Sequence, residues 1–122
     1  LRIDANLPTL VSVTPQDTTI DENNEGAQNW FVDVLFSETM DVAVDPTVEF
    51  SPAVTALDNC AGVWTSATNF RYICDVIDDD SVEATVDVQV SDAQDLTGNV
   101  MADDVVTGAG AFSIDMTAGG GA

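Results

Sequence analysis

The chain contains no histidine and no lysine, and its only cationic residues are Arg2 and Arg71. Without histidine it cannot build a Ser-His or Cys-His nucleophilic pair, or an imidazole metal site. Without lysine it cannot form a Schiff base or supply the lysine of a phosphate-binding P-loop. Carboxylate chemistry such as glycoside hydrolysis would remain, but a chain of 122 residues leaves little room for a substrate cleft. We therefore expect no enzymatic activity.

The acidic side chains number 22 and give a formal net charge of −20. Such a surface repels itself unless salt or bound cations screen it. It offers no basic patch for phosphate groups, so we expect neither nucleic-acid binding nor attraction to anionic membranes. Because no stretch approaches the roughly 20 apolar residues that span a bilayer, we expect no membrane insertion. The composition suits a saline or calcium-rich exterior, and we predict an extracellular or cell-surface location.

The clearest strand pattern runs from Trp30 to Phe36, where apolar residues of one face alternate with a second set on the other face. The first set is Trp30, Val32, Val34 and Phe36, and the second set is Phe31, Asp33 and Leu35. Because the second set also contains large apolar residues, we predict that both faces are at least partly covered. This strand is therefore expected to be central in its sheet.

Shorter strand patterns occupy most of the remaining chain, and a long alternating one runs from Val82 to Val90. Residues 100–107 fit either an interrupted strand or an ordered loop. No stretch of helical periodicity exceeds about two turns. About seven short strands with regular turns are typical of an antiparallel β-sandwich, and a chain of this length forms one domain. We predict an all-β fold.

The two cysteines, Cys60 and Cys74, lie on either side of a predicted hairpin turn at 65–69. One antiparallel register places Trp64 opposite Phe70, Gly62 opposite Tyr72, and Cys60 opposite Cys74. That register stacks an aromatic pair, lets a large ring lie over a glycine, and brings the sulfurs together. We predict a structural disulfide, worth about 3 kcal/mol on the chain-entropy model, in preference to a redox-active pair. A disulfide also fits an oxidising exterior.

Four segments, in this order along the chain, resemble the tandem immunoglobulin-like repeats of very large bacterial adhesins and S-layer-type surface proteins. They are the opening segment 8–15, the strand end Phe36-Ser37-Glu38-Thr39-Met40-Asp41, the turn segment 91–99 with Asp95-Leu96-Thr97-Gly98-Asn99, and the closing Phe112-Ser113-Ile114-Asp115. The resemblance implies an immunoglobulin-like sandwich over residues 7–116. It also implies that residues 1–6 are a linker with the end of a preceding unit, because Leu1-Arg2-Ile3-Asp4 is similar to 112–115. Residues 117–122 read as a flexible glycine-rich tail.

Calcium is the only cofactor that the sequence invites, because it takes six to eight oxygen ligands from carboxylates, carbonyls and water. No EF-hand or nonapeptide pattern is present, so a site would have to combine separate loops. Three acidic clusters are candidates: Asp21 with Glu22 and Glu25, Asp78 with Asp79 and Asp80, and Asp103 with Asp104. The family resemblance adds Asp4 and Asp115, at the two junctions between repeats. The alternative for each cluster is a solvated acidic surface adapted to salt. For Asp95 we expect a turn cap, not a metal ligand.

The resulting hypothesis is a structural spacer, one repeat of a cell-surface adhesin, whose partners are neighbouring copies in tandem. A second hypothesis is a self-assembling filament or coat subunit, in which the strand Leu1–Asp4 pairs with a neighbour's open sheet edge. A subunit that contains its own last strand would disfavour the filament. A third is a carbohydrate-binding module that uses Trp64 and Tyr72, although we expect these two rings to belong to the core.

Overall fold

The structure is a computed structural model that describes residues 8–51, 53–101, 104–106 and 112–117, with only the backbone described at 104–106. The predicted linker at 1–6 and most of the predicted tail at 117–122 lie outside these ranges. Within them the chain forms nine strands and one 3-10 turn. The strands are β1 (Leu10–Pro15), β2 (Thr19–Asp21), β3 (Gly26–Phe36), β4 (Thr47–Ser51), β5 (Leu57–Trp64), β6 (Asn69–Val76), β7 (Val82–Ser91), β8 (Asp104–Val106) and β9 (Phe112–Asp115). The 3-10 turn is Glu22–Asn24.

The strands form two sheets. The four-stranded sheet has the order β1-β3-β6-β5, and all of its pairs are antiparallel. The five-stranded sheet has the order β2-β9-β7-β4, and β8 also pairs with β7. Its pairs are antiparallel except β2 with β9, which is parallel. The prediction of an all-β fold is confirmed, and the predicted antiparallel arrangement is found in every described strand pair except β2 with β9.

The number of strands is larger than the predicted seven or so, for two reasons. The first strand pattern is interrupted at Pro15, which lacks a backbone N–H for continued pairing, and the chain resumes as β2 in the other sheet. The last strand is likewise divided, because β8 and β9 both pair with β7 on the side opposite β4. Residues 104–106, left open between strand and loop, belong to a strand.

β3 is the central strand that its sequence predicts, since it pairs with β1 on one side and β6 on the other. Its first set of side chains is fully buried in the core between the sheets: Trp30, Val32, Val34 and Phe36. The indole of Trp30 packs against Phe112 with 4.6 Å between ring centroids, and its Nε1 donates to the Asp17 carbonyl at 3.1 Å. Burying such side chains contributes roughly 1.5–3 kcal/mol each, so β3 anchors the core.

The two ends of the sandwich are defined by β3. Leu10 pairs with Phe36, and we call this the upper end. β2 ends at Asp21, and the 3-10 turn leads directly to the start of β3 at Gly26. Asp115 pairs with Asp21 in parallel register, so both lie at the opposite, lower end. β1 therefore starts at the upper end, and β9 finishes at the lower end.

The β5–β6 hairpin has the predicted register. Gly62 pairs with Tyr72 and Trp64 with Phe70, and the Cys60–Cys74 disulfide is present with 4.1 Å between the two Cα atoms. The ring that lies over Gly62 is that of Phe70, its diagonal neighbour, and not that of the directly paired Tyr72. A Cβ atom at Gly62 would lie 1.9 Å from Cζ of Phe70. The glycine thus makes room for a core aromatic ring.

The pattern of β7 is confirmed only in part. Val86, Val88 and Val90 are buried as expected, but Val82 is 58% exposed. A register shift between Glu83 and Val86 in the pairing with β9 breaks the alternation. A bulge of this kind reverses which residues face the core, and a period-two reading of the sequence does not detect it.

We predict that Gly62→Ala destabilises the fold, because the added methyl group occupies the space of the buried Phe70 ring. Overpacking of a core costs about 1–3 kcal/mol, measurable as a lower midpoint in urea unfolding. Ala61→Val is the control, since Ala61 is exposed on the opposite face of the same strand, and it should leave the midpoint nearly unchanged. Equal stability of Gly62→Ala and the native protein would contradict this account of the hairpin.

Candidate functional site

The lower end of the sandwich collects most of the predicted calcium ligands. Asp21 and Asp115 are Cα partners in adjacent parallel strands. Asp115 also pairs with Val82, the first residue of β7, and the Met116 amide donates to the Ser81 carbonyl at 2.9 Å. The acidic segment 78–80 directly precedes these residues. Two sequence clusters and the junction residue Asp115 therefore meet at the end where the last strand finishes.

The other candidates do not join this group. Asp104 pairs with Val90 near the far end of β7, and only its backbone is described. Asp4 and Asp103 lie outside the described residues. Asp104 is thus separate in the fold from the lower end.

Three of the lower-end carboxylates cap their own turns. Asp21 accepts from the Asn23 amide at 2.9 Å, Asp79 from the Ser81 amide at 3.1 Å, and Asp115 from the Thr117 amide at 3.1 Å. Each is an Asx turn, in which a side-chain oxygen bonds the backbone two residues on. These turn caps favour a structural role for the three carboxylates.

The three carboxylates of the segment 78–80 differ in their hydrogen bonds and backbone conformation. Hydrogen bonding from Ser81 and from the Thr55 hydroxyl lowers the pKa of the Asp79 carboxyl. Asp80 has a φ of +61°, in the left-handed region that aspartate tolerates better than most residues. Oδ1 of Asp78 is buried without a hydrogen-bond partner in the described part of the chain. The turn places its three carboxylates in three different environments.

These residues do not assemble a complete metal site. Among the described residues, no group of three or more cysteine, aspartate or glutamate side chains is arranged to hold a metal ion. Calcium requires six to eight oxygen ligands, and Asp21 and Asp115 each already use an oxygen as a turn cap. Calcium at the lower end would therefore need donors beyond the described residues of one domain.

The structure buries one carboxylate that sequence analysis identified only as a turn cap. Asp95 is 1% exposed. Its Oδ1 accepts from the Thr97 amide at 3.0 Å, the Thr97 hydroxyl at 2.9 Å and the Asn99 amide at 2.9 Å, and its Oδ2 accepts from Asn99 Nδ2 at 3.1 Å. The predicted Asx cap is confirmed, with more donors than an Asx turn requires.

The pKa of Asp95 reflects two opposed effects. Burial raises the pKa of the carboxyl, but the hydrogen bonds from Asn99 and Thr97 together outweigh it and hold the pKa well below its ordinary value. A carboxylate that accepts several hydrogen bonds is stabilised in its charged form. Within the described part of the chain, no cation pairs with the buried Asp95 charge, which is balanced by dipoles of its own turn.

Asp95 also joins two of the segments that carry the family resemblance. Met40 and Asp95 form an isolated β-bridge, and the Asp41 amide donates to the Gln94 carbonyl at 2.9 Å. Met40 is 1% exposed and belongs to the core. The strand end at 36–41 and the turn at 91–99 are therefore neighbours at the upper end.

The two aromatic residues considered for sugar binding, Trp64 and Tyr72, contact other aromatic rings of the domain. Trp64 packs against Phe36 and Phe70 at centroid distances of 5.7 and 5.1 Å, and its Nε1 donates to Asp45 Oδ1 at 3.1 Å. Tyr72 contacts Phe50, and burial together with the Glu49 charge raises the pKa of its hydroxyl. Both rings pack against the core, as expected from the sequence.

The disulfide lies apart from Arg71, the one arginine among the described residues. Arg71 is on the opposite face of β6 from Cys74, because an odd number of positions separates them. Its guanidinium binds Asp33 through Nε at 2.8 Å and Nη2 at 3.1 Å. These hydrogen bonds raise the pKa of Arg71. Since a reactive thiolate needs a cationic neighbour, the arrangement fits a structural disulfide.

Comparison of the chain with protein-family models, curated proteins and solved structures finds no match. Within the described residues, no helix has the length and apolar character needed to cross a membrane.

We predict that Asp95→Asn destabilises the protein at neutral pH, because an amide nitrogen would replace an oxygen that accepts from Asn99 or Thr97. A folded-state pKa below the ordinary value, about 3.9, means that the native carboxylate contributes stability above that pH. This contribution is lost as the pH falls toward the folded-state pKa. The difference in unfolding free energy between native protein and variant should therefore narrow between about pH 5 and 2.

Urea unfolding at a series of pH values measures this difference. Asp41→Asn is the matched control, because Asp41 caps the Ala43 amide at 3.0 Å and an asparagine oxygen can accept the same bond. The control should remain close to the native protein at neutral pH. A difference for Asp95→Asn that does not change with pH would contradict the role assigned to this charge.

Proposed function

We propose that the chain is an immunoglobulin-like repeat that acts as an extracellular spacer in a cell-surface adhesin. The strand order supports this proposal. Constant-type immunoglobulin domains place strands A, B, E and D in one sheet and C, F and G in the other. Here β1-β3-β6-β5 corresponds to the first set, and β4, β7 and the divided β8–β9 correspond to the second. β2 is the part of the first strand that crosses to pair with the last strand.

The observation that carries the spacer function is the position of the two ends. Leu10 lies at the upper end and Asp115 at the lower end, separated by the length of β3. β3 has 11 residues, which at about 3.3 Å each gives a rod of about 35 Å. Domains that enter at one end and leave at the other add their lengths when joined in series.

Three features support rigidity of such a unit. The disulfide clamps the β5–β6 hairpin. Asx turns cap loops at both ends, with Asp115 and Asp21 below and Asp95 above. Both sheets contribute to one continuous buried core. A spacer needs this resistance to bending and does not need a cleft.

We include calcium in the proposal as a charge-neutralising ligand at the junction between repeats. This part of the proposal is supported by the position of Asp21, Asp115 and the 78–80 turn, which all lie at the lower end. The next repeat would have to supply the remaining oxygen donors, because the described residues of one domain do not form a complete site. Neutralisation would also reduce the repulsion between consecutive domains.

The location is proposed on two grounds. The disulfide is compatible with an oxidising exterior. A net charge of −20 is tolerated best where salt or divalent cations are abundant. The same charge disfavours nucleic acid and anionic membranes as partners, so neighbouring copies are the proposed partners.

The filament alternative has less support. A donated strand would be expected to fill a gap in the receiving sheet. The described chain already places its own last strand, β9, between β2 and β7. A tandem arrangement requires no such gap, and we therefore favour it over strand donation.

The experiment joins two copies in series, so that residues 118–122 of the first and 1–7 of the second form the connection, and measures small-angle X-ray scattering. The account predicts an elongated particle whose maximum dimension is about twice that of one domain, about 70 Å or more. Calcium should narrow the distribution of interdomain distances relative to chelator. Chelator with sodium chloride of equal ionic strength is the control for simple screening. A compact particle, with the domains folded back side by side, would contradict the spacer function.

A further inference from the structure

The two outer faces of the sandwich differ in chemistry. In antiparallel sheets with one solvated face, outward residues are normally polar. The five-stranded sheet follows this rule, and its outward residues include Thr19, Asp21, Glu49, Asp87, Gln89 and Asp115. The four-stranded sheet departs from it on β3, β5 and β6, where the outward residues include Phe31, Leu35, Ala61, Val63 and Ile73, whereas β1 presents the polar Ser12 and Thr14. We call the outward surface of β3, β5 and β6 the apolar face.

An ion pair lies at the centre of the apolar face. Arg71 pairs in register with Asp33 of β3 and with Val63 of β5, and it binds the Asp33 carboxylate through two nitrogens. Its Cζ lies 3.9 Å from the centroid of the Phe31 ring. The guanidinium therefore neutralises the one carboxylate in the middle of this face and shields an aromatic ring.

The remaining charges of the face lie at its lower edge. Asp75 is held by the Gln28 amide at 2.8 Å and by Asn59 Nδ2 at 3.2 Å, and Asp58 is its Cα partner. Above them the outward positions of β5 and β6 are Ala61, Val63, Ile73 and the paired Arg71. On a molecule of charge −20, the part of the face above Asp58 and Asp75 therefore carries no net charge.

We propose that the apolar face pairs with the same face of a second copy of the chain, which places two domains side by side. The distribution of charge favours a second copy as the binding partner and the apolar face as the surface of contact. Two molecules of charge −20 repel each other over most orientations, and the apolar face allows contact without opposing carboxylates. A two-fold axis that runs parallel to the strands, between β3 and β6, would place Arg71 of each copy opposite Asp33 of the partner subunit, and both copies would contribute the same residues, as in an isologous interface.

The size of the face is also consistent with a reversible dimer. The outer face of the four strands, about 4.8 Å apart and about eight residues long, covers about 500 Å², and Ser12 and Thr14 of β1 form a polar rim along one side of it. Two such faces bury about 1,000 Å², which is at the lower limit for a specific interface. An interface of this size is typical of weak, transient association, and the remaining charge weakens it further at low salt. Salt should strengthen the dimer, because screening reduces the repulsion while the apolar contact persists.

This inference does not depend on the proposed spacer function, since it concerns the isolated domain. Sedimentation equilibrium from about 1 to 500 μM protein, at low and high sodium chloride, measures the association. The native protein should show a monomer–dimer equilibrium that shifts toward dimer as salt rises. Val63→Asp and Ala61→Asp should each weaken dimerisation at least about tenfold, because each buries an unpaired carboxylate in the contact.

Val82→Asp is the matched control. It makes the same substitution at a valine of similar exposure, 58% against 49% for Val63, but outside the apolar face. It should dimerise like the native protein at high salt. The proposal is overturned if the native protein stays monomeric up to 500 μM at high salt, if Val82→Asp weakens association as much as Val63→Asp, or if both apolar-face variants still dimerise. Circular dichroism checks that each variant retains its β structure.

Discussion

The constraint on which the structure depends is the near absence of positive charge beside 22 carboxylates. Carboxylates cannot be balanced by salt bridges here, and the one described ion pair joins Arg71 to Asp33. Backbone amides take that role instead. Five aspartates accept the N–H two residues further on: Asp21, Asp41, Asp79, Asp95 and Asp115. The acidic composition is thus partly a set of turn caps, which fix the loops that connect the strands.

Apolar packing in the core stabilises the strands that these turns connect. β3 contributes a continuous row of buried side chains, and the β5–β6 hairpin is locked by the disulfide and by the Phe70 ring over Gly62. The turn around Asp95 then docks against the chain after β3 through the Met40 bridge. These contacts join both sheets and the Asp95 turn in one packed unit, in which β1 starts and β9 finishes at opposite ends. The proposed spacer function uses this packing and the separation of the ends.

Much of the fold could be predicted from the sequence where one local rule decides the outcome. Alternation predicted β3, and one register predicted both the Gly62–Tyr72 pairing and the disulfide. The bulge in β7 could not be predicted, because it depends on how β9 pairs with β7. Asp21 and Asp115 come together through a parallel pairing between distant segments. The sequence Asp-Leu-Thr-Gly-Asn indicates the donors of the Asp95 turn cap. The burial of Asp95 could not be predicted, because it depends on packing against Met40.

The most direct test of the central claim is the distance across one domain. Spin labels at Thr9 and Thr117, both exposed, would lie just outside the first and last described strands. Pulsed electron paramagnetic resonance should give a narrow distribution centred at about 35 Å, the length of an eleven-residue strand. A distribution centred below about 20 Å would place both labels at the same end. Consecutive domains could then not extend a stalk, and the spacer function would be contradicted.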